Sequence, residues 1–277
     1  MKISLLMATI GREKEVVRFL NTLKLQSFTN YELIIVDQNK DNRIDSILKD
    51  FSSLPIKHVK VQIKGLSKAR NIGLKYVTGE ILGFPDDDCW YSSDTLKKVH
   101  SFFVENKNFA IYTGRSIDEE GNESAGKFKK VSSEINKKNV WGMGISFTVF
   151  VKHDLVVKHS IQFDELLGVG SGTKYGSGEE TDFILQILGK GLRGYYDSGF
   201  KIYHPNPIMK YNEKTYNRAV LYGAGFIKVM RKHNYNLEKV LFTTIKPLLG
   251  GLVFFLINPK KAKYYFRSFH GRLKGFS

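Results

Sequence analysis

Two groups of carboxylates interrupt a chain that is otherwise basic. The first is Asp86-Asp87-Asp88, inside the stretch GFPDDDCW (83–90), where the apolar run Ile81–Phe84 ends. In an extended segment side chains alternate, so Asp86 and Asp88 share one face and Asp87 points away. Two carboxylates on one face suit a hard divalent cation such as Mg²⁺ or Mn²⁺, which takes oxygen ligands together with substrate phosphates. The alternative is an acid-rich turn capping Ser92, Ser93 and the helix after them. The second group is Glu179, Glu180 and Asp182 in GEETD (178–182), behind GVGSGTKYGSG (168–178), which holds five glycines. Acids in a first helical turn favour the helix dipole. A partly desolvated carboxylate such as Glu180 can also serve as a general base. The glycines before it suit a flap that closes over substrate, or a plain surface loop.

The elements that must position these acids alternate regularly over the first hundred residues. Strands are expected at 2–8, 31–37, 57–63 and 80–84, and helices at 13–26, 43–51 and 67–77. Near-continuous apolar strands alternating with helices predict an α/β domain on a mostly parallel sheet. Ligands in such sheets bind at the carboxyl ends of strands, and the ends here are polar: ATIGR, VDQNKD, IKGLSKARN and PDDDC. Further strands are expected at 109–115, 145–151 and 199–203, and helices at 179–190 and 213–232. The expected organisation is a catalytic domain over 1–210, with a nucleotide-binding half (1–108) and an acceptor-binding half (109–210), then a C-terminal helical region (211–277).

The chain has 277 residues, of which 43 are Lys or Arg and 27 Asp or Glu, for a net charge of +16. That excess predicts an anionic partner. The single cysteine, Cys89, excludes an internal disulfide framework and fits a reducing compartment. The first residues, MKISLLMATIGRE, are too short in apolar character for a secretory signal, and a cytosolic site of action is expected. LLGGLVFFLI (248–257) is interrupted by Lys246, Pro247, Gly250 and Gly251 when extended backwards, so it is not a spanning helix. The segment 259–277 is basic, interleaved with aromatics and free of acids. Together they predict a helical extension lying on an anionic membrane surface.

Taken together, these stretches resemble the GT-A glycosyltransferases of the inverting family 2. ISLLMATIGREKEVVRFLNTLKLQSFTNYELIIVDQNKD is similar to that family's opening strand, turn, helix and VVD strand. GLSKARNIGLKYVTGEILGFPDDDCWY resembles its GxxxARNxGxxxAxGxxxxFxDDD block, and FDELLGVGSGTKYGSGEETDFILQILGKG its acceptor loop and ED base motif. The resemblance implies a Rossmann-like GT-A fold and transfer of a sugar from a nucleoside-diphosphate sugar, UDP-sugar favoured. It also implies Mn²⁺ or Mg²⁺ as cofactor and a glycan or lipid-linked glycan as acceptor, as in bacterial surface polysaccharide synthesis at the inner face of the cell membrane. By position, Thr9, Asp37, Arg70 and Asn71 would hold the nucleotide, the last two from the loop after the third strand. Asp86 would face the ribose and Asp87 belongs to the same donor-binding set. Asp88 would ligate the metal, with His204 as an additional ligand. Glu180 stands where the family's base is normally aspartate, so Asp182 competes for that role. Ala8 replaces the usual proline before Thr9.

Other classes fit less well. ATIGRE lacks the Gly-x-Gly-x-x-Gly of dinucleotide oxidoreductases. A metal-dependent nucleotidyltransferase would leave the second acidic group unexplained. A non-catalytic basic protein for membrane or nucleic acid accounts for the charge, but acids at the strand ends would repel a polyanion, and no nucleic-acid partner is expected.

Overall fold

The structure, a computed structural model, describes residues 1–206 and 210–277. Its contacts divide the chain into two compact units. The first comprises residues 1–64, 68–162 and 183–206; the second comprises 65–67, 163–182 and the residues described from 210 to 277.

The first unit opens β1 (Ile3–Thr9), α1 (Lys14–Lys24), β2 (Tyr31–Asp37), α2 (Arg43–Asp50), β3 (Ile56–Lys60), α3 (Leu66–Leu74), β4 (Ile81–Gly83) and α4 (Thr95–Glu105). β5 (Phe109–Ile117), β6 (Ser133–Ile135), β7 (Phe150–Lys152), α5 (His153–Lys158), α6 (Glu179–Gly189; residues 179–182 belong to the second unit) and β8 (Arg193–Tyr203) follow. The strands form one sheet in the order β3-β2-β1-β4-β7-β5-β8-β6. β1 and β2 are apolar on both faces because helices cover both sides, the pattern of central parallel strands. α1 buries Val16, Phe19, Leu20 and Leu23, a spacing of three and four that makes one apolar stripe.

The sheet is mixed rather than mostly parallel. β1–β2, β2–β3, β1–β4 and β5–β8 run parallel, whereas β7 lies antiparallel between β4 and β5, and β6 antiparallel to β8. The stretch expected as a strand at 145–151 is a turn for most of its length. Thr148 Oγ1 accepts from Ile145 N at 3.1 Å, and Thr148 N donates to Ile145 O at 2.8 Å. Only Phe150–Lys152 is left to pair. β8 begins at Arg193 rather than 199, because Asp197–Gly199, which looks like a turn, is absorbed as a bulge in its pairing with β5.

After β3 the chain returns to lay β4 on the other side of β1, making a topological switch point at β1. Register then matters. Thr9 pairs with Asp37 at the carboxyl ends of β1 and β2, and Ala8 bridges Asp86 just beyond β4.

In the second unit, α7 (Glu213–Lys232), α8 (Leu237–Phe254) and α9 (Pro259–Lys274) pack together with the glycine-rich segment. α7 and α9 meet backbone to backbone. A Cβ on Gly271 would lie 2.1 Å from Val220 O, and one on Gly223 would lie 2.7 Å from Ser268 O. α8 buries Val240, Thr244, Pro247 and Gly251 on one side. Its opposite side exposes Leu241, Phe242, Ile245, Leu249, Leu252 and Val253. No helix among the described residues is long and apolar enough to cross a membrane.

Candidate active site

The three acids sit on a turn: Asp86 ends the bridge to β1, and Cys89 N closes back on Asp86 O at 3.3 Å. They do not cap the following helix, whose N-cap residue is Asp94. Asp86, Asp88 and His204 converge, their candidate ligand atoms all within 4.8 Å of one another. Asp87 faces elsewhere, accepting from Thr9 Oγ1 at 2.8 Å and lying 3.6 Å from Arg12 Nε. The expected division of the three acids therefore holds geometrically, although a turn rather than an extended run produces it.

Their electrostatics follow from burial and from cations that arrive from elsewhere in the fold. Burial pushes the Asp86 carboxyl up, against the pull of Arg70, whose Nη2 is 3.0 Å from Asp86 Oδ1. Burial likewise raises Asp87, to about 7, despite Thr9 and Arg12. Burial acts on Asp88 too, but His204 and Arg12 outweigh it and hold that carboxyl below its ordinary value. His204 Nε2 lies 3.1 Å from Asp88 Oδ1, and Arg12 Nη2 lies 2.8 Å from Asp88 Oδ2. The sequence reading does not single out Arg12 or Arg18. Arg18 stacks over Trp90 at 4.0 Å and donates to Asp88 O at 2.7 Å. Both sit on or just before α1, so their proximity depends on tertiary packing; Arg12 in the turn after β1 is the available signal.

His204 tests whether the trio fits a metal. Its ring stacks on Phe147 at 4.8 Å, and its Nδ1 lies 2.6 Å from the carbonyl oxygen of Pro205. A carbonyl only accepts, so Nδ1 carries the proton and Nε2 is the atom turned toward the acids. Without a metal, Nε2 must also be protonated to bind Asp88; in a metal site the same atom offers its lone pair. Two carboxylates and one imidazole are a donor set that fits a divalent metal ion.

Of the other residues expected to hold the donor, Thr9 and Asp37 lie at neighbouring strand ends. Asp37 is fully buried and already engaged: Asn39 donates to its Oδ1 from N at 2.8 Å and from Nδ2 at 2.7 Å, and His58 Nε2 lies 3.0 Å from its Oδ2. Arg70 and Asn71 belong to α3, not to a loop after β3; Arg70 is buried in the helix and reaches Asp86 from there.

The second acidic group begins α6 in the second unit. Glu179, Thr181 and Asp182 are buried, whereas Glu180 is half-buried. Asp182 is fully covered, with His233 Nε2 2.7 Å from Oδ1 and Lys232 Nζ 3.0 Å from Oδ2. Tyr222 of α7 has its hydroxyl pKa raised, first by burial and further by the charges of Glu179 and Glu180.

The glycosyl transferase family 2 model matches residues 4–151, more than half of the chain. The chain belongs to glycosyl transferase family 2. That match includes Thr9, Asp37, Arg70, Asn71 and the three acids, and ends before Glu180, Asp182 and His204. The family member is 30% identical over 110 residues to the poly(ribitol-phosphate) β-N-acetylglucosaminyltransferase TarS of Staphylococcus aureus, covering 38% of this chain and 19% of TarS. It therefore spans about a fifth of that relative's length. It is 25% identical over 163 residues to an Escherichia coli protein, UDP-Glc:alpha-D-GlcNAc-diphosphoundecaprenol beta-1,3-glucosyltransferase WfgD, covering 58% of this chain and 64% of WfgD. The structure of TarS residues 1–349 with UDP-GlcNAc aligns at a TM-score of 0.63 and 19% identity, over 99% of this chain and 91% of that one. The mannosyltransferase PcManGT of Pyrobaculum calidifontis, solved with GDP-Man and Mn²⁺, aligns at 0.65 and 13%, over 99% and 87%. These likenesses establish a GT-A-like fold.

Proposed function

We propose that the protein is an inverting glycosyltransferase that moves a sugar from a nucleoside-diphosphate sugar, UDP-sugar favoured, to a saccharide or lipid-linked saccharide in bacterial surface polysaccharide synthesis. The observation that carries this reading is the convergence of Asp86, Asp88 and His204 at the switch point of a family 2 fold. TarS and WfgD act, by their names, on poly(ribitol-phosphate) and on a diphosphoundecaprenol-linked GlcNAc, which supports the acceptor class.

Thr9, Asp37, Arg70 and Asn71 would hold the nucleotide, with Asp86 toward the ribose and Asp87 completing the donor-binding set. Asp88 and His204, with Asp86 beside them, would hold Mn²⁺ or Mg²⁺, which when bound supplies positive charge for the departing diphosphate. Arg12 adds a fixed cation beside Asp88. Glu180 takes the proton from the acceptor hydroxyl as that oxygen attacks the anomeric carbon. Of the two candidates for this base, Asp182 is fully covered, with its oxygens on Lys232 and His233, whereas Glu180 is half-buried, which favours Glu180.

The C-terminal helices supply the proposed membrane contact at the inner face of the cell membrane. The exposed apolar side of α8 continues into Phe255, Leu256 and Ile257, beside the lysines and arginines of α9. An apolar patch rimmed by positive charge matches an anionic lipid surface. The deciding experiment is thermal shift with UDP, GDP and their sugars in the presence of Mn²⁺. A nucleotide at 100 times its dissociation constant adds about 2.7 kcal/mol, and no stabilisation by any of them overturns the reading.

A further inference from the structure

The segment 176–182 lies along a single stripe of α7. Gly176 N donates to Leu221 O at 3.1 Å, and Ser177 Oγ donates to Tyr222 O at 3.2 Å. One turn on, Gly225 packs so closely that a Cβ there would meet Ser177 O at 2.3 Å. One turn further, a Cβ on Gly178 would meet Val229 Cγ2 at 2.8 Å, and Gly178 already has φ +95. The stripe ends at Lys232 and His233, which take one oxygen each of Asp182. Lys232 also holds Asp164, 2.8 Å from its Nζ, ahead of the glycine-rich stretch. Residues 221, 225, 229 and 232/233 recur at helical spacing, so one face of α7 reads the whole segment.

The geometry of a helix links this stripe to Glu180. Asp182 N donates to Gly178 O at 2.8 Å, the bond that starts α6. Residues two apart in a helix point about 200° apart, so Asp182 turned fully inward sets Glu180 outward. Glu180 is the one residue of 179–182 that is not buried. A free first turn would fray and roll, since helix ends lack half their backbone bonds. A buried carboxylate held on one oxygen by Lys232 and on the other by His233 resists that motion, because leaving either oxygen unpaired inside protein is costly.

We propose that Asp182, Lys232 and His233 form a positioning lock for Glu180, so that α7 is part of the transfer apparatus. The inference rests on Glu180 being the base, as proposed above. It assigns Gly176 and Gly178 to close seating on α7 instead of to a free flap. It also gives the C-terminal region a role independent of any membrane.

The test compares wild type with Lys232→Met, His233→Gln and Lys232→Arg, using UDP release from UDP-GlcNAc with Mn²⁺, and hydrogen exchange of amides 178–183. Misplacing a reacting group by about 1 Å costs on the order of 100-fold. The expected result is a kcat lowered about 10–100-fold in Lys232→Met and His233→Gln, with donor KM and the thermal shift by UDP and Mn²⁺ unchanged. Faster exchange at 178–183 accompanies it, and Lys232→Arg recovers most of the kcat. An unchanged kcat overturns the lock. So does a parallel loss of kcat and UDP binding, which a general loss of folding would give. The UDP shift of the wild type reads the proposed function, whereas the variant-to-wild-type kcat ratio and the exchange rates read this inference, so the two fail separately.

Discussion

Replacing Asp88 with asparagine separates a ligand site from a structural turn. The amide keeps the volume and one acceptor oxygen but removes the charge. Two attractions are lost in the metal-free protein. The contact with His204 Nε2 at 3.1 Å joins two well-covered side chains, 15% and 14% exposed, and hydrogen bonds to charged groups contribute about 1.5–3 kcal/mol. The contact with Arg12 at 2.8 Å involves a guanidinium side chain 39% exposed, so solvent screening holds it to about 1 kcal/mol or less. Against these stands a repulsion that the substitution relieves. The ligand atoms of Asp86 and Asp88 lie within 4.8 Å, where like charges cost roughly 3–4 kcal/mol at an effective dielectric near 20.

The terms nearly cancel, so the metal-free variant should unfold within about 1 kcal/mol of wild type. The ligand-dependent part should behave differently. Wild type at 100 times the dissociation constant of UDP with Mn²⁺ gains about 2.7 kcal/mol, equivalent to about 5–10 °C in Tm for a chain of this size. Asp88→Asn should lose most of that increment. Differential scanning fluorimetry, with and without Mn²⁺ and UDP, measures both quantities. An increment equal to wild type refutes Asp88 as a metal ligand. A metal-free loss of about 4 kcal/mol or more refutes the charge balance and makes the acids a structural turn.

Glu180→Gln should lower kcat about 10²–10⁴-fold, the usual worth of a general base, with donor KM little changed in initial-rate measurements; near-wild-type turnover removes it from the mechanism. Gly271→Ala should destabilise the α7–α9 junction by about 1–3 kcal/mol, although alanine elsewhere in a helix gains about 1 kcal/mol over glycine, because its Cβ would meet backbone at 2.1 Å; an unchanged or higher Tm contradicts the packing. Burial raises the Glu32 carboxyl, but hydrogen bonds from Lys2, Ser4 and Thr78 outweigh it and hold its pKa below the ordinary value. A depressed folded pKa gives stability that is present above the unfolded value and lost as pH falls through the folded one. Glu32→Gln should therefore be less stable than wild type at neutral pH by about 1.5–3 kcal/mol, and denaturant melts should show the gap closing in acid; a gap independent of pH refutes the assignment.

What the sequence makes legible here is what depends on short-range order. Apolar runs with polar ends locate β1, β2 and β4, and the sheet register that brings Thr9 to Asp37 and Ala8 to Asp86 follows once those strands are parallel neighbours. His204 is readable as a residue at a strand end with Pro205 beside it, yet its orientation also depends on Phe147 beneath the ring, which no local pattern encodes. The cations around the acids are hidden for the same reason. GFPDDDCW has no positive neighbour in sequence, and Arg12, Arg18 and Arg70 reach it from the β1–α1 connection, from α1 and from α3. The antiparallel β7 escapes a local reading because Ile145–Thr148 is apolar enough to pass for a strand while its hydroxyl closes a turn. The ambiguity between Glu180 and Asp182 is of this non-local kind. Two acids two positions apart are equivalent in sequence until something distant claims one of them. Lys232 and His233, about fifty positions on, hold Asp182 in a fully covered position, whereas Glu180 is half-buried. If Glu180 is the base as proposed, the C-terminal helices specify the chemistry at 178–182 as much as the motif itself does.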